Sequence, residues 1–285
     1  MILATVARLC VYLGITLVLG DVALLFLRPT GRPDEVILAD RFSVRGWALL
    51  TFGLLLWILA QALAMELSPT VAALRMLVGE TTWGRGWLIL AISTAIGFGF
   101  GMWRSASLLI HFRESTRWIA LCLALTTAVA LGGLGHAAAD DAWPTISRVI
   151  DALHVTSVGA WIGSLLIIFY YSSMNEHDVH VLEMWQVLSR LATVAAPLAV
   201  LSGTGATILR LQGATLAEVV RSDYGRLLAL KIGLVLSTLI FGMLSRRRVV
   251  AGTVPDATLP RREMWFALAV FAATSVLTGT APPGE

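Results

Sequence analysis

Five ionisable side chains stand inside or at the edge of long apolar runs in this 285-residue sequence: Asp21, His136, Asp151, His154 and Lys231. A charge at the centre of a bilayer costs at least about 2.5–3.5 kcal/mol, so such groups are kept for function or for pairing. Asp151 and His154 are three residues apart and share one face of a helix, which Val158 and Trp161 continue. An imidazole beside a carboxylate is a usual arrangement around a metal ion, because the carboxylate fixes the ring's tautomer. The same spacing also suits a structural role, with Asp151 paired to Lys231 or Arg148 and His154 a satisfied core histidine. His136 closes the run Gly132-Gly133-Leu134-Gly135-His136, whose glycines permit close backbone approach. A histidine that merely ends a helix would also suit the helix dipole. His136 and His154 flank a connection containing Asp140, Asp141 and Pro144, so their helices are antiparallel neighbours. At ~1.5 Å per residue their depths differ by several ångströms, which leaves open one shared site or two successive ones.

Other chemistry-bearing residues are less concentrated. His177 and His180 lie in a polar stretch with Glu176, Asp178 and Glu183 and read as a solvated acidic connector. His111, near Arg113 and Arg117, reads as interfacial. Met65, Met102, Met174 and Met243 sit near the ends of apolar runs; thioethers suit Cu(I), but single methionines more often fill gaps. Cys10 and Cys122 fall in separate apolar runs without a CxxC, which excludes a disulfide scaffold and a zinc ribbon. There is no catalytic triad, phosphate loop or HExxH, and Gly97, Gly99 and Gly101 follow no strand, so they read as helix packing. The chain is not read as an enzyme.

The elements that must hold these residues are apolar helices. The chain is 57% hydrophobic and 14% charged, with mean hydropathy +0.80, where soluble domains carry about 25% charge. Eight stretches reach the ~20 apolar residues a spanning helix needs, roughly 9–27, 46–65, 87–103, 118–138, 149–174, 191–209, 227–245 and 264–281. None alternates as a barrel strand would. The expectation is an all-α, polytopic membrane bundle of eight transmembrane helices forming one domain over 1–285. The first run has no A-x-A-like exit and reads as a spanning helix. Most Trp fall near helix ends, as an interface belt. Gly159 and Gly163 form a small-xxx-small pair that lets a neighbouring helix approach the helix carrying His154, which makes that helix central.

Orientation follows from arginine. Arg28, Arg32, Arg41 and Arg45 precede the second run; Arg104, Arg113 and Arg117 follow the third; Arg246, Arg247, Arg248, Arg261 and Arg262 follow the seventh. The positive-inside rule makes these sides cytoplasmic and both termini periplasmic. His136, Asp151, His154 and Lys231 then fall in the outer half of the membrane and Asp21 in the inner half. The basic residues serve topology, and no nucleic-acid partner is implied.

The stretches Leu134-Gly135-His136-Ala137, Asp151-Ala152-Leu153-His154 and Gly159-Ala160-Trp161-Ile162-Gly163 together resemble the core signature of the CopD copper-resistance family. Ser189-Arg190-Leu191-Ala192, Ser202-Gly203-Thr204-Gly205, Asp223-Tyr224-Gly225-Arg226-Leu227-Leu228, Lys231, Arg246-Arg247-Arg248, Glu263 and Ala281-Pro282-Pro283 follow in the family's order. The resemblance covers approximately 130–285. It implies a multi-pass protein of the bacterial inner (plasma) membrane that handles copper, as Cu(I) or Cu(II), beside a CopC-like periplasmic copper-binding partner, here expected to be separate. Carried onto this chain, the metal residues are His136 and His154 with Asp151, and Trp161, Lys231 and Asp21 support them. The expected function is acceptance of copper on the periplasmic side and import toward the cytoplasm. The alternatives are a b-type haem cytochrome, since two facing histidines suit bis-imidazole haem, and a copper receptor that does not transport.

Overall fold

A computed structural model describes residues 2–28, 31–65, 70–106, 112–134, 144–175, 180–211 and 213–283. Among them there is helix and no strand. The helices are α1 (Ile2–Leu27), α2 (Pro33–Ala64), α3 (Val71–Glu80), α4 (Thr82–Ala106), α5 (Phe112–Gly132), α6 (Pro144–Val158), a π-helical turn (Gly159–Gly163), α7 (Ser164–Met174), α8 (His180–Arg210), α9 (Leu216–Arg221), α10 (Asp223–Val250) and α11 (Thr258–Leu277). Seven segments among the described residues are long and apolar enough to cross a membrane: α1, α2, α4, most of α5, the continuous run α6–π–α7, α8 and α10. The stretch expected as the eighth span folds as the helix α11, which is not among these seven. It has 20 residues and carries Arg261, Arg262 and Glu263 near its start, so it falls short of that standard by its charge.

Several helices reach further than hydropathy alone indicates. The stretch before Gly46, expected as a loop, is helical from Pro33 onward. Proline at the first helical position is pre-organised for the helix, and Asp34 and Glu35 suit the positive end of its dipole. Arg41 and Arg45 therefore stand on a helix. The connection before α4 folds as α3, where Thr70 accepts a hydrogen bond from the Ala73 N–H at 3.3 Å. The short helix α9 is closed by a capping box. There the Thr215 backbone N–H at 2.7 Å and its hydroxyl at 2.8 Å hold the Glu218 carboxyl below its usual range.

α1 lies at the centre and packs against α2, α5, the π turn, α7 and α11. The contacts are made by small residues, as expected where lipid removes the hydrophobic drive between helices. A Cβ on Gly14 would stand 2.7 Å from the Gly46 carbonyl oxygen, and one on Gly53 would stand 2.9 Å from that of Ala7. The backbone of Gly163 lies directly on that of Gly20, and Gly159 packs on Leu19. The expected close approach at Gly159 and Gly163 is therefore made, and its partner is α1. Gly97 and Gly101 seat the Trp47 indole, which gives the glycine run in α4 its packing role.

The hydrogen bonds sort polar residues to two ends. At the end holding the N-terminus, Tyr12 of α1 donates to Thr278 at the close of α11 (3.4 Å) and Arg210 closes on Asp151. At the opposite end, Arg28 meets Glu35 at 3.2 Å and Glu183 at 3.4 Å, and Tyr171 donates to Asp34 at 3.0 Å.

Candidate functional site

α6 presents Asp151 and His154 to α8. The His154 Nδ1 lies 2.9 Å from the carbonyl oxygen of Ala199. A carbonyl only accepts, so Nδ1 carries the proton and Nε2 keeps its lone pair. Backbone carbonyls orient metal-binding histidines in this way, fixing tautomer and ring direction together. The Ser202 Oγ stands 3.3 Å from the same nitrogen and donates to the Leu198 carbonyl at 2.6 Å. Nε2 makes no hydrogen bond among the described residues.

The ring fits because α8 is narrow there. A Cβ at Gly203 would stand 2.9 Å from the His154 Cε1 and 3.2 Å from Nδ1. Ser202, Ala206 and Arg210 follow at helical spacing and carry this face toward the N-terminal end. Pro197 interrupts α8 one turn away from the site, where it removes a backbone donor. Toward the opposite end, Arg246 of α10 donates to the Ser189 carbonyl at 2.7 Å and to the Thr193 hydroxyl, tying the two helices together.

Asp151 is bound by Arg210, with Nη2 to Oδ2 at 2.9 Å. This corrects the expected pairing with Lys231 or Arg148: the guanidinium comes from the last residue of α8, just beyond the apolar run. Tyr224, buried at the start of α10, meets the same guanidinium. Lys231, about two turns into α10, belongs to this end and makes no ion pair or hydrogen bond among the described residues. Gly132 of α5 also borders the cluster, since a Cβ there would stand 3.6 Å from that of Asp151. His136 lies outside the described residues, as do His111 and His177.

The structure separates the remaining predicted residues from this cluster. The π turn widens the helix by one residue per turn, which breaks the expected continuous face. His154 meets α8, whereas the buried Trp161 indole stands beside Glu263 of α11. Asp21, fully buried, is ion-paired to Arg104 of α4, which also reaches Asp40 of α2 at 3.0 Å. Asp21 thus ties α1, α2 and α4 together and takes no part in the histidine site. His180, at the start of α8, pairs with Glu183 at 3.2 Å on the surface, so the stretch expected as a connector is helical from His180 onward. Cys10 and Cys122 are free thiols. Among the described residues no three His, Cys, Asp or Glu side chains converge as a metal cage.

Sequence reasoning missed Arg210 and Asp40, and it named Arg104 only for topology and Tyr224 and Glu263 only within the resemblance. The spacing Ser202–Ala206–Arg210, one face of a helix, is a signal that could have found the first. Asp40 and Arg104 were hidden because they fall outside the apolar runs.

No curated protein and no solved structure matches the chain. The family model described as copper resistance protein D matches residues 182–281. That stretch holds nearly all of α8 and all of α9, α10 and α11, and so supplies Ser202, Gly203, Arg210, Tyr224, Lys231 and Glu263. Asp151, His154 and Trp161 come from the helix before it. Over residues 182–281, the wall against which His154 is set, the chain is matched to the copper resistance protein D family.

Proposed function

We propose that this protein handles copper in a bacterial inner membrane, taking the ion at the N-terminal end of the bundle and passing it toward the cytoplasm. The observation that carries the reading is the His154 imidazole, whose Nδ1 is held by Ala199 so that Nε2 is left to bind. Neutral imidazole is a good ligand for copper ions. His154 supplies one donor, and His136 is the second we assign to the ion. Asp151 acts first as the counter-charge of Arg210, which keeps a carboxylate one helical turn from the ligand.

The orientation rests on arginine. Arg28, Arg246, Arg247, Arg248, Arg261 and Arg262 gather at the end away from the N-terminus, which we place in the cytoplasm. With α11 as the eighth span, both termini and the histidine site face the periplasm. A separate CopC-like protein is the copper donor that the family resemblance implies.

The test is metal analysis of the purified protein together with its absorption spectrum. Copper bound without a Soret band supports this reading. A Soret band would overturn it in favour of haem ligated by the same imidazole.

A further inference from the structure

Glu263 is the buried carboxyl that the copper site does not use. It is 3% exposed and belongs to the first turns of α11, at the end of the bundle opposite the N-terminus. Two elements close over it. On α10, a Cβ added to Gly242 would stand 2.9 Å from the Glu263 Oε1 and 3.3 Å from its Cδ, so a side chain there would fill the space the carboxyl occupies. On the π turn, the buried Trp161 indole stands beside the same group.

The charged groups on the packed elements are engaged or turned elsewhere. On α11, Arg261 and Arg262 are exposed, and Arg262 lies over the Phe241 ring at 5.7 Å. On α10, Arg246 holds Ser189 and Thr193, Arg247 and Arg248 are exposed, and Lys231 stands at the other end. On the α6–π–α7 run, Asp151 is at the far end with Arg210, and Tyr171 holds Asp34; on α1, Arg8 lies beside Gly279 at that far end and Asp21 is held by Arg104. Glu263 therefore has no ion pair among the described residues. A carboxylate buried without a counter-ion is far costlier than the neutral acid, which can also keep its hydrogen bonds. The donor beside it sits on a π turn, a distortion that recurs at functional sites.

We propose that Glu263 is a proton-binding site, neutral at rest, that releases its proton to water at the cytoplasmic end when a cation reaches the level of Trp161. The balance is simple: the O–H bond of the acid breaks, the proton goes to water, and the carboxylate left behind is compensated by the arriving cation and the Trp161 N–H. For a monovalent ion the exchange is one charge for one charge. The choice of copper as that cation rests on the function proposed above, whereas the proton site does not.

Infrared spectroscopy of the purified protein at neutral pH tests the site. The protonated-carboxyl stretch should lose a component in Glu263→Gln, and that component should shift without disappearing in Trp161→Phe. An unchanged band in Glu263→Gln overturns the proposal. Proteoliposomes containing a pH-sensitive dye and given Cu(I) test the exchange. Wild type should move protons as copper enters, and Glu263→Gln should lose the proton movement. Copper entry without proton movement in wild type overturns the exchange. If no copper enters but the infrared component is present, the proton site stands and the copper reading is the one that fails.

Discussion

At the scale of single residues, the site depends on how one imidazole is held. His154 stood out in the sequence because a histidine three residues from an aspartate in an apolar run is either a ligand or a satisfied core histidine. Its holder was not, since a main-chain carbonyl such as that of Ala199 carries no signature in residue type. Gly203 is a direct test of the holder. A methyl group there would stand 2.9 Å from the ring, so Gly203→Ala should turn the imidazole and lower copper affinity about 10–100-fold, the usual cost of disturbing a ligand's support. Isothermal titration with copper measures it. The Asp151–Arg210 pair gives a second residue-scale prediction. Asp151→Asn strands a guanidinium and should destabilise the protein by about 3 kcal/mol, whereas adding Arg210→Met should recover part of that loss. Lys231→Met combined with Asp151→Asn should show a smaller coupling than the Arg210 pair, because no direct ion pair joins them. Denaturation in detergent of the three single and two double variants measures both cycles.

At the scale of elements, seven of the expected apolar runs reappear among the described residues as helices long and apolar enough to span, because length and hydropathy govern membrane spans directly. Their ends were less legible. α2 begins at Pro33 within a charged stretch, since buried partners remove the cost of Asp40 and the dipole favours Asp34 and Glu35. The π turn was invisible for a different reason: Gly159 and Gly163 announce close packing, but not that the backbone widens between them to meet α1. This contact separates glycines that matter from glycines that do not. Gly163 lies on the Gly20 backbone, so Gly163→Ala should overpack the centre and destabilise by about 1–3 kcal/mol. A methyl group added at Gly99 would meet nothing within 4 Å, so Gly99→Ala should stabilise by up to about 1 kcal/mol through helix propensity. Melting temperatures of the two variants should therefore move in opposite directions.

At the scale of the whole molecule, the two polar ends define what a membrane would see. One end gathers Tyr12, Asp151, His154, Arg210 and Tyr224, and the other gathers Arg28, Glu35, Glu183 and Glu263. Our proposed orientation, read from the arginine pattern, puts the second end in the cytoplasm. A cysteine at Gly252, an exposed turn glycine with φ of +77° just after α10, checks it in a Cys10- and Cys122-free background. It should react with an impermeant thiol reagent only after the membrane is opened; labelling in intact spheroplasts would reverse the orientation. The central claim, that copper is taken at His154 near the N-terminal end, is tested most directly by copper bound per purified protein molecule. Wild type is compared with His154→Ala and with the double variant His177→Ala/His180→Ala. The account predicts that His154→Ala loses the bound copper and that the double variant keeps it. If His154→Ala binds copper like wild type while the double variant loses it, copper is held at the opposite end and the account is contradicted.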